Sequence, residues 1–158
     1  MPRTPRSSRA VRRRIAQCAA SAALSFLAAA APASDFRSVA EPAVLYDAPS
    51  LRASRLFVIG RDAPVEVIAS DGTWVKVRDN TGELAWIEKK ALSDRRTLVV
   101  SVPVADIRER PDEQSPVAFQ AQQGVLLELL DADRAGWLRV RHADGSSGYV
   151  RISQVWGY

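Results

Sequence analysis

Two runs of five residues put an indole and two cations at alternate positions: Trp74-Val75-Lys76-Val77-Arg78 and Trp137-Leu138-Arg139-Val140-Arg141. In extended chain, successive side chains point to opposite sides. Trp74, Lys76 and Arg78 therefore share one face, as do Trp137, Arg139 and Arg141, while Val75, Val77, Leu138 and Val140 take the other. An indole beside a cation can stack on a sugar ring or an aromatic and pair with a carboxylate. Trp86 and Tyr149 are further candidates for such a surface. One of each adjacent pair, Trp86/Ile87 and Tyr149/Val150, must face inward, and strand register decides which. Each tryptophan also has a structural reading, as the cover of a small core, which the large area of an indole favours. Trp156, near the end of the chain, reads as a core plug or a contact between domains.

Chemistry beyond binding finds little material. His142 is the single histidine and sits beside the turn Asp144-Gly145, where it reads as solvated. Ser146-Ser147 reads as loop, so no serine–histidine pair is set up. The acidic residues are scattered through turns without an inward-facing pair for acid–base work. One histidine and no cysteine besides Cys18 exclude the common zinc-ligand sets. The expectation is a protein that is not an enzyme, with no catalytic residue, no metal and no cofactor.

The elements that position these residues are written twice. Trp74 and Trp86 return 63 positions later as Trp137 and Tyr149. Upstream the offset is 62, taking Pro49 to Pro111, Phe57 to Phe119 and Val65-Glu66-Val67 to Leu127-Glu128-Leu129. One insertion in the loop before Trp137 explains the change, and duplication of one supersecondary unit explains the rest. Period-two alternation dominates and no helical stripe is sustained. The turn formers Asp71-Gly72, Asp79-Asn80-Thr81-Gly82, Ala135-Gly136 and Asp144-Gly145 punctuate the strands. Five strands are expected per unit, near 38–46, 55–59, 64–70, 73–78 and 83–87, then 98–108, 117–120, 125–131, 137–142 and 147–151. A tight turn is expected over Glu88 to Ala91, and the boundary at Ser93-Asp94-Arg95-Arg96 is short enough for the units to touch. Five short strands close into a small barrel, which removes open edges.

Residues 1–33 read as a signal peptide. Six arginines and no acid precede the apolar stretch Ile15 to Ala31, and Ala31-Pro32-Ala33 offers small residues for cleavage between Ala33 and Ser34. An uncleaved anchor is the competing reading, but the stretch only reaches the lower limit of a bilayer span and is dominated by alanine. Cys18 opens the apolar run instead of following it, which argues against lipidation, and a general secretory signal fits better than a twin-arginine one. The membrane is then a partner only through the leader, before cleavage. The remaining 125 residues carry 16 basic and 18 acidic side chains, because six of the 22 basic residues lie in the leader. A net charge of −2 offers no basic footprint for nucleic acid.

In this order, Pro64-Val65-Glu66-Val67-Ile68, Trp74-Val75-Lys76-Val77-Arg78-Asp79, Gly82…Trp86-Ile87…Ala91-Leu92, Gly124-Val125…Glu128-Leu129-Leu130, Gly136-Trp137-Leu138-Arg139-Val140-Arg141 and Val155-Trp156-Gly157 resemble bacterial SH3-like domains in tandem, as in exported proteobacterial proteins. The resemblance implies an all-β fold of two small SH3-like barrels after a cleaved leader, over 36–94 and 97–158. It implies a cell-wall or protein-binding module in the periplasm, or secreted, rather than a reader of polyproline. Asp106-Ile107-Arg108…Pro111 keeps part of the family's first-strand signature, which Leu45-Tyr46-Asp47-Ala48-Pro49 departs from; Thr73 and Ala85 stand where glycine is usual. Leu45-Tyr46-Asp47 is similar to one motif of eukaryotic ligand grooves, but the rest of that groove is missing. The expected ligand is peptidoglycan or its stem peptides, held by Trp74, Lys76, Arg78, Trp86, Trp137, Arg139, Arg141 and Tyr149. A scaffold or regulator of an envelope protein is the alternative, and a purely structural subunit a third. Cell-wall hydrolases join such modules to a catalytic domain, and the expectation here is a module without one.

Overall fold

The computed structural model describes residues 34–132 and 135–158; the leader expected over 1–33 lies outside them. The first unit runs β1 (Asp35–Val39), β2 (Ala43–Tyr46), β3 (Arg55–Ile59), β4 (Pro64–Asp71), β5 (Trp74–Arg78), β6 (Leu84–Glu88), a 3₁₀ turn (Lys89–Ala91) and β7 (Leu92–Ser93). The second repeats it as β8 (Thr97–Val100), β9 (Val104–Arg108), β10 (Val117–Gln122), β11 (Leu126–Ala132), β12 (Trp137–Arg141), β13 (Ser147–Arg151), a 3₁₀ turn (Ile152–Gln154) and β14 (Val155–Trp156). Strand order is β3-β2-β6-β5-β4-β1-β7 in one sheet and β10-β9-β13-β12-β11-β8-β14 in the other. Adding seven to each label converts the first order into the second, so the duplication read in the sequence is a duplication of topology.

Seven strands replace the five expected, for two local reasons. The long first strand expected over 38–46 breaks at Glu41-Pro42, and that over 98–108 breaks ahead of Pro103; proline has no N–H to give to a ladder. After each 3₁₀ turn the chain pairs once more with its unit's first strand, Leu92 with Val39 and Val155 with Val100. These two-residue strands are too short to show a period in sequence. The remaining strands fall within about two residues of their expected bounds.

Each sheet wraps its own core. Val39, Leu45, Ile59, Val65, Val75, Val77, Ala85 and Ile87 fill the first. Leu98, Val100, Ile107, Ala121, Leu127, Leu138, Val140 and Val150 are among those filling the second. Most correspond through the repeat: Leu45 to Ile107, Val65 to Leu127, Val75 to Leu138, Ile87 to Val150. Ala85 answers to Gly148, where a Cβ would meet Ile107 Cγ2 and the Arg108 carbonyl oxygen at 2.6 Å. The second barrel therefore needs glycine where the first accepts alanine.

The barrels join through a built junction. Thr97, at the start of β8, donates its hydroxyl to the Asp62 carbonyl (2.6 Å) and lies 2.5 Å from the Ser38 hydroxyl of β1; both hydroxyl residues are buried. Phe36 of β1 meets Trp156 of β14 edge to face, centroids 5.1 Å apart, so Trp156 is a contact between domains. Arg96 lies over Phe36 and donates to the Gly157 carbonyl (3.0 Å). Gly157 has φ of 113°, and a Cβ there would come within 2.8 Å of the Thr97 carbonyl oxygen. Arg95 reaches back to Asp62 (3.1 Å) and forward to Glu128 (3.4 Å).

Candidate functional site

Alternation on β5 and β6 sorts the candidate residues. Val75, Val77, Ala85 and Ile87 point into the core, leaving Trp74, Lys76 and Arg78 with Leu84, Trp86 and Glu88 on the outer face. Ile87 and Val150 are the inward members of their pairs, and Trp86 and Tyr149 the outward ones. Register assembles two rows on the first barrel: Lys76–Trp86–Tyr46 across β5, β6 and β2, and Trp74–Glu88 beside it. The second barrel repeats them as Arg139–Tyr149–Arg108 and Trp137–Arg151.

On the first barrel the rows form an aromatic platform. Tyr46 is only 7% exposed and meets Trp74 edge to face at 5.3 Å. It supports Trp74 from beneath, while Trp74 and Trp86 both stay half-buried beside the half-buried Lys76. Glu88 pairs with Lys90 (3.0 Å) rather than with Lys76. Tyr46 and Glu88 also line a cleft of about 490 Å³ with Val44, Pro42 and Lys90.

The second barrel builds the equivalent place from different chemistry. Trp137 is 3% exposed because the Arg151 guanidinium lies 4.2 Å over its ring. Trp137 is thus corrected from a ligand-stacking residue to the floor under an arginine, a contact worth about 0.5–2 kcal/mol. Arg151 Nε donates to Glu113 (2.7 Å), and Arg108 donates to the Ser115 carbonyl (2.7 Å). Arg108, Arg151, Asp106, Glu113 and Trp137 line a cleft of about 350 Å³. Tyr149 is half-buried between Arg108 and Arg139. Arg139 is exposed and without a partner among the described residues.

Arg78 and Arg141 do not belong to these platforms. Arg78 Nε donates to Glu66 (2.9 Å) and Arg141 Nε to Glu128 (3.0 Å), the same ion pair in each repeat. The Arg78 hydrogen bond holds the Glu66 carboxyl below its ordinary value. Arg141, then Arg95, do the same for Glu128 against the opposing effect of burial. Asp62, Arg95, Glu128 and Arg141 alternate in charge around a cleft of about 500 Å³ that also touches His142. His142 closes its own turn: its Nδ1 lies 3.1 Å from Asp144. Asp144 is held below its ordinary value first by the Ser146 N–H, which it accepts at 2.8 Å.

No group of three or more His, Cys, Asp or Glu able to hold a metal occurs among the described residues. No helix among them is long and apolar enough to cross a membrane. Sequence reading missed Tyr46, Arg108, Glu88 and Arg151 as members of the outer faces. Their signal was available: Glu88 and Arg151 stand one strand-period beyond Trp86 and Tyr149.

Two small barrels of identical topology, packed through one junction and carrying equivalent outer faces, define a tandem SH3-like module. The bacterial SH3 domain family matches the chain twice, over residues 39–94 and 101–157. The chain belongs to that family. Among solved structures it is similar to NlpC2 from Trichomonas vaginalis at 20% identity, covering 80% of this chain and 49% of that one, with a TM-score of 0.37. NlpC1 from the same organism matches at 20% identity, covering 84% and 50%, also at 0.37. An NlpC/P60 family protein from Bacillus cereus matches at 18% identity, covering 78% and 56%, at 0.36. The chain thus spans about half the length of the solved structures it matches. No curated protein sequence matches it.

Proposed function

We propose that this protein is a non-catalytic, exported binding module that holds peptidoglycan or its stem peptides in the periplasm. The observation carrying this reading is the outer face of the first barrel. Trp74 and Trp86 stay half-buried beside Lys76, with Tyr46 fixing Trp74 from below. A sugar ring stacks on such an indole through its apolar face, and Lys76 accepts a carboxylate from an attached peptide. Rigid aromatics lose little conformational freedom on binding, which suits a small site.

Co-sedimentation with purified cell-wall sacculi tests the reading. The wild-type protein pellets with the sacculi, and a Trp86→Ala, Lys76→Ala variant stays in solution with an unchanged unfolding transition. Wild-type protein left in the supernatant refutes the proposal. One observation favours the alternative, a scaffold for an envelope protein. Edge strand β3 and the loop before it expose Leu51 (63%), Leu56 (47%) and Val58 (66%), a surface that fits strand addition by a partner.

A further inference from the structure

The two barrels present one surface in two chemistries. Through the repeat, Val44 answers to Asp106, Tyr46 to Arg108, Lys76 to Arg139, Trp86 to Tyr149 and Glu88 to Arg151. The clefts sit at equivalent places, one lined by Tyr46 and Glu88, the other by Arg108 and Arg151. A carboxylate in the first barrel stands where the second has a guanidinium. We infer that the cleft of the second barrel, over Arg108 and Arg151, with Arg139 on the same outer row as Arg108, is a carboxylate-binding site for an acidic peptide. The inference rests on the reading of the outer faces as ligand-holding surfaces and divides the work between them.

Three observations carry it. Arg108 and Arg151 line the cleft, where Asp106 (3.7 Å from Arg108) and Glu113 balance them, and Arg139, across Tyr149 from Arg108 in the strand register, adds an exposed cation with no partner among the described residues. The Arg151 guanidinium carbon lies 4.2 Å over the Trp137 ring, which holds the fork in place while its Nε edge donates outside that contact. A carboxylate already occupies that edge: Glu113, from the loop between β9 and β10, accepts from Arg151 Nε at 2.7 Å. Glu113 is 62% exposed at its side chain, so it can leave and be exchanged for a ligand carboxylate at small cost. The chain itself therefore shows what this fork accepts. The first barrel cannot do the same, because Glu88 would repel a carboxylate from the same position.

The experiment uses a short alanine–glutamate–alanine peptide, titrated into the protein and followed by backbone amide NMR shifts. Three forms are compared: free acid, amidated at the C-terminus only, and fully amidated with glutamine for glutamate. The free acid shifts amides around Arg108, Tyr149 and Arg151, and by more than any around Lys76 and Trp86. The fully amidated form shifts neither set, and the half-amidated form shows whether the side chain or the terminus supplies the group. Arg151→Gln weakens binding about tenfold, the loss of one charge-assisted contact. Glu113→Gln strengthens it about threefold or more by removing the internal competitor, a gain that misfolding cannot produce. Equal binding of the free and fully amidated peptides, or no gain in Glu113→Gln, overturns the inference. Sacculus co-sedimentation separates the two proposals. Sacculi bound equally by wild type and Arg151→Gln, with no peptide binding, leave the cell-wall reading standing and this one refuted; peptide binding without sacculus binding does the reverse.

Discussion

Thr97→Val keeps shape and volume, yet it should cost about 1–3 kcal/mol. The Thr97 hydroxyl donates to the Asp62 carbonyl at 2.6 Å, so its oxygen must accept from the Ser38 hydroxyl, 2.5 Å away. Both residues are buried, Ser38 at 0% exposure and Thr97 at 3%. Removing the hydroxyl loses a net bond of about 1 kcal/mol and strands the Ser38 donor, at about 1–3 kcal/mol. The added methyl returns about 0.8 kcal/mol. Ser38→Ala alone removes one bond and strands nothing, so about 1 kcal/mol is expected. In the double variant no donor is orphaned. Its cost should fall short of the sum of the singles by at least about 1 kcal/mol. Ser38 belongs to the first barrel and Thr97 to the second, so this coupling measures the junction itself. Urea unfolding of the four proteins, followed by tryptophan fluorescence, reads it directly. A Thr97→Val protein within about 0.5 kcal/mol of wild type, or singles that simply add, would show that the buried pair does not join the barrels.

Gly148→Ala should cost about 1–3 kcal/mol by overpacking against Ile107 and the Arg108 carbonyl, whereas the first barrel already carries Ala85 at this place; thermal unfolding decides. Unfolding midpoints should fall as pH drops. Glu66 and Glu128 have folded pKa values below 4.5, so the stability they contribute is present above that value and is lost as pH falls through the lowered ones. Glu128→Gln should flatten this acid limb, and an unchanged limb contradicts the assignment. Val58→Lys on the exposed edge strand should leave stability within about 0.5 kcal/mol and reduce self-association by light scattering.

Much of this architecture is written in local pattern. The alternation Trp74-Val75-Lys76-Val77-Arg78 states which side chains enter the core, and Val75 and Val77 are buried as that alternation requires. The repeat offset states that the two units share a topology, and the sheet orders agree. What the pattern cannot state is which outward residues stay open. Trp137 and Trp74 occupy equivalent outward positions. Trp137 is covered by Arg151, while Trp74 faces Glu88, which cannot stack on it and turns to Lys90. Fourteen residues separate Trp74 from Glu88, and the same number Trp137 from Arg151. The exposure of an indole is thus decided across the strand pair, beyond the reach of its own strand's period. Trp156 is a similar case, since its partner Phe36 lies at the other end of the described chain. The breaks at Pro42 and Pro103 were legible one by one, as missing donors, but alternation continues across them and hides the turn.

The duplicated unit has kept and changed its positions along a physical line. Inward positions exchange one aliphatic for another, Leu45 for Ile107 and Val75 for Leu138, because a packed core tolerates shape changes but not polarity. The Glu66–Arg78 pair is retained as Glu128–Arg141, on the edge where β4 meets β5 and β11 meets β12. Two outward positions change charge, Glu88 to Arg151 and Val44 to Asp106, while Lys76 to Arg139 keeps it. Two copies of one surface binding one ligand would gain from avidity by staying alike. One inverted position, Glu88 to Arg151, on a barrel that is otherwise intact would under the proposed function give each copy its own contact. The junction through Thr97, Ser38, Phe36 and Trp156 joins a barrel with an aromatic outer face to one with an arginine-bearing outer face, the two contacts that the proposed function would use.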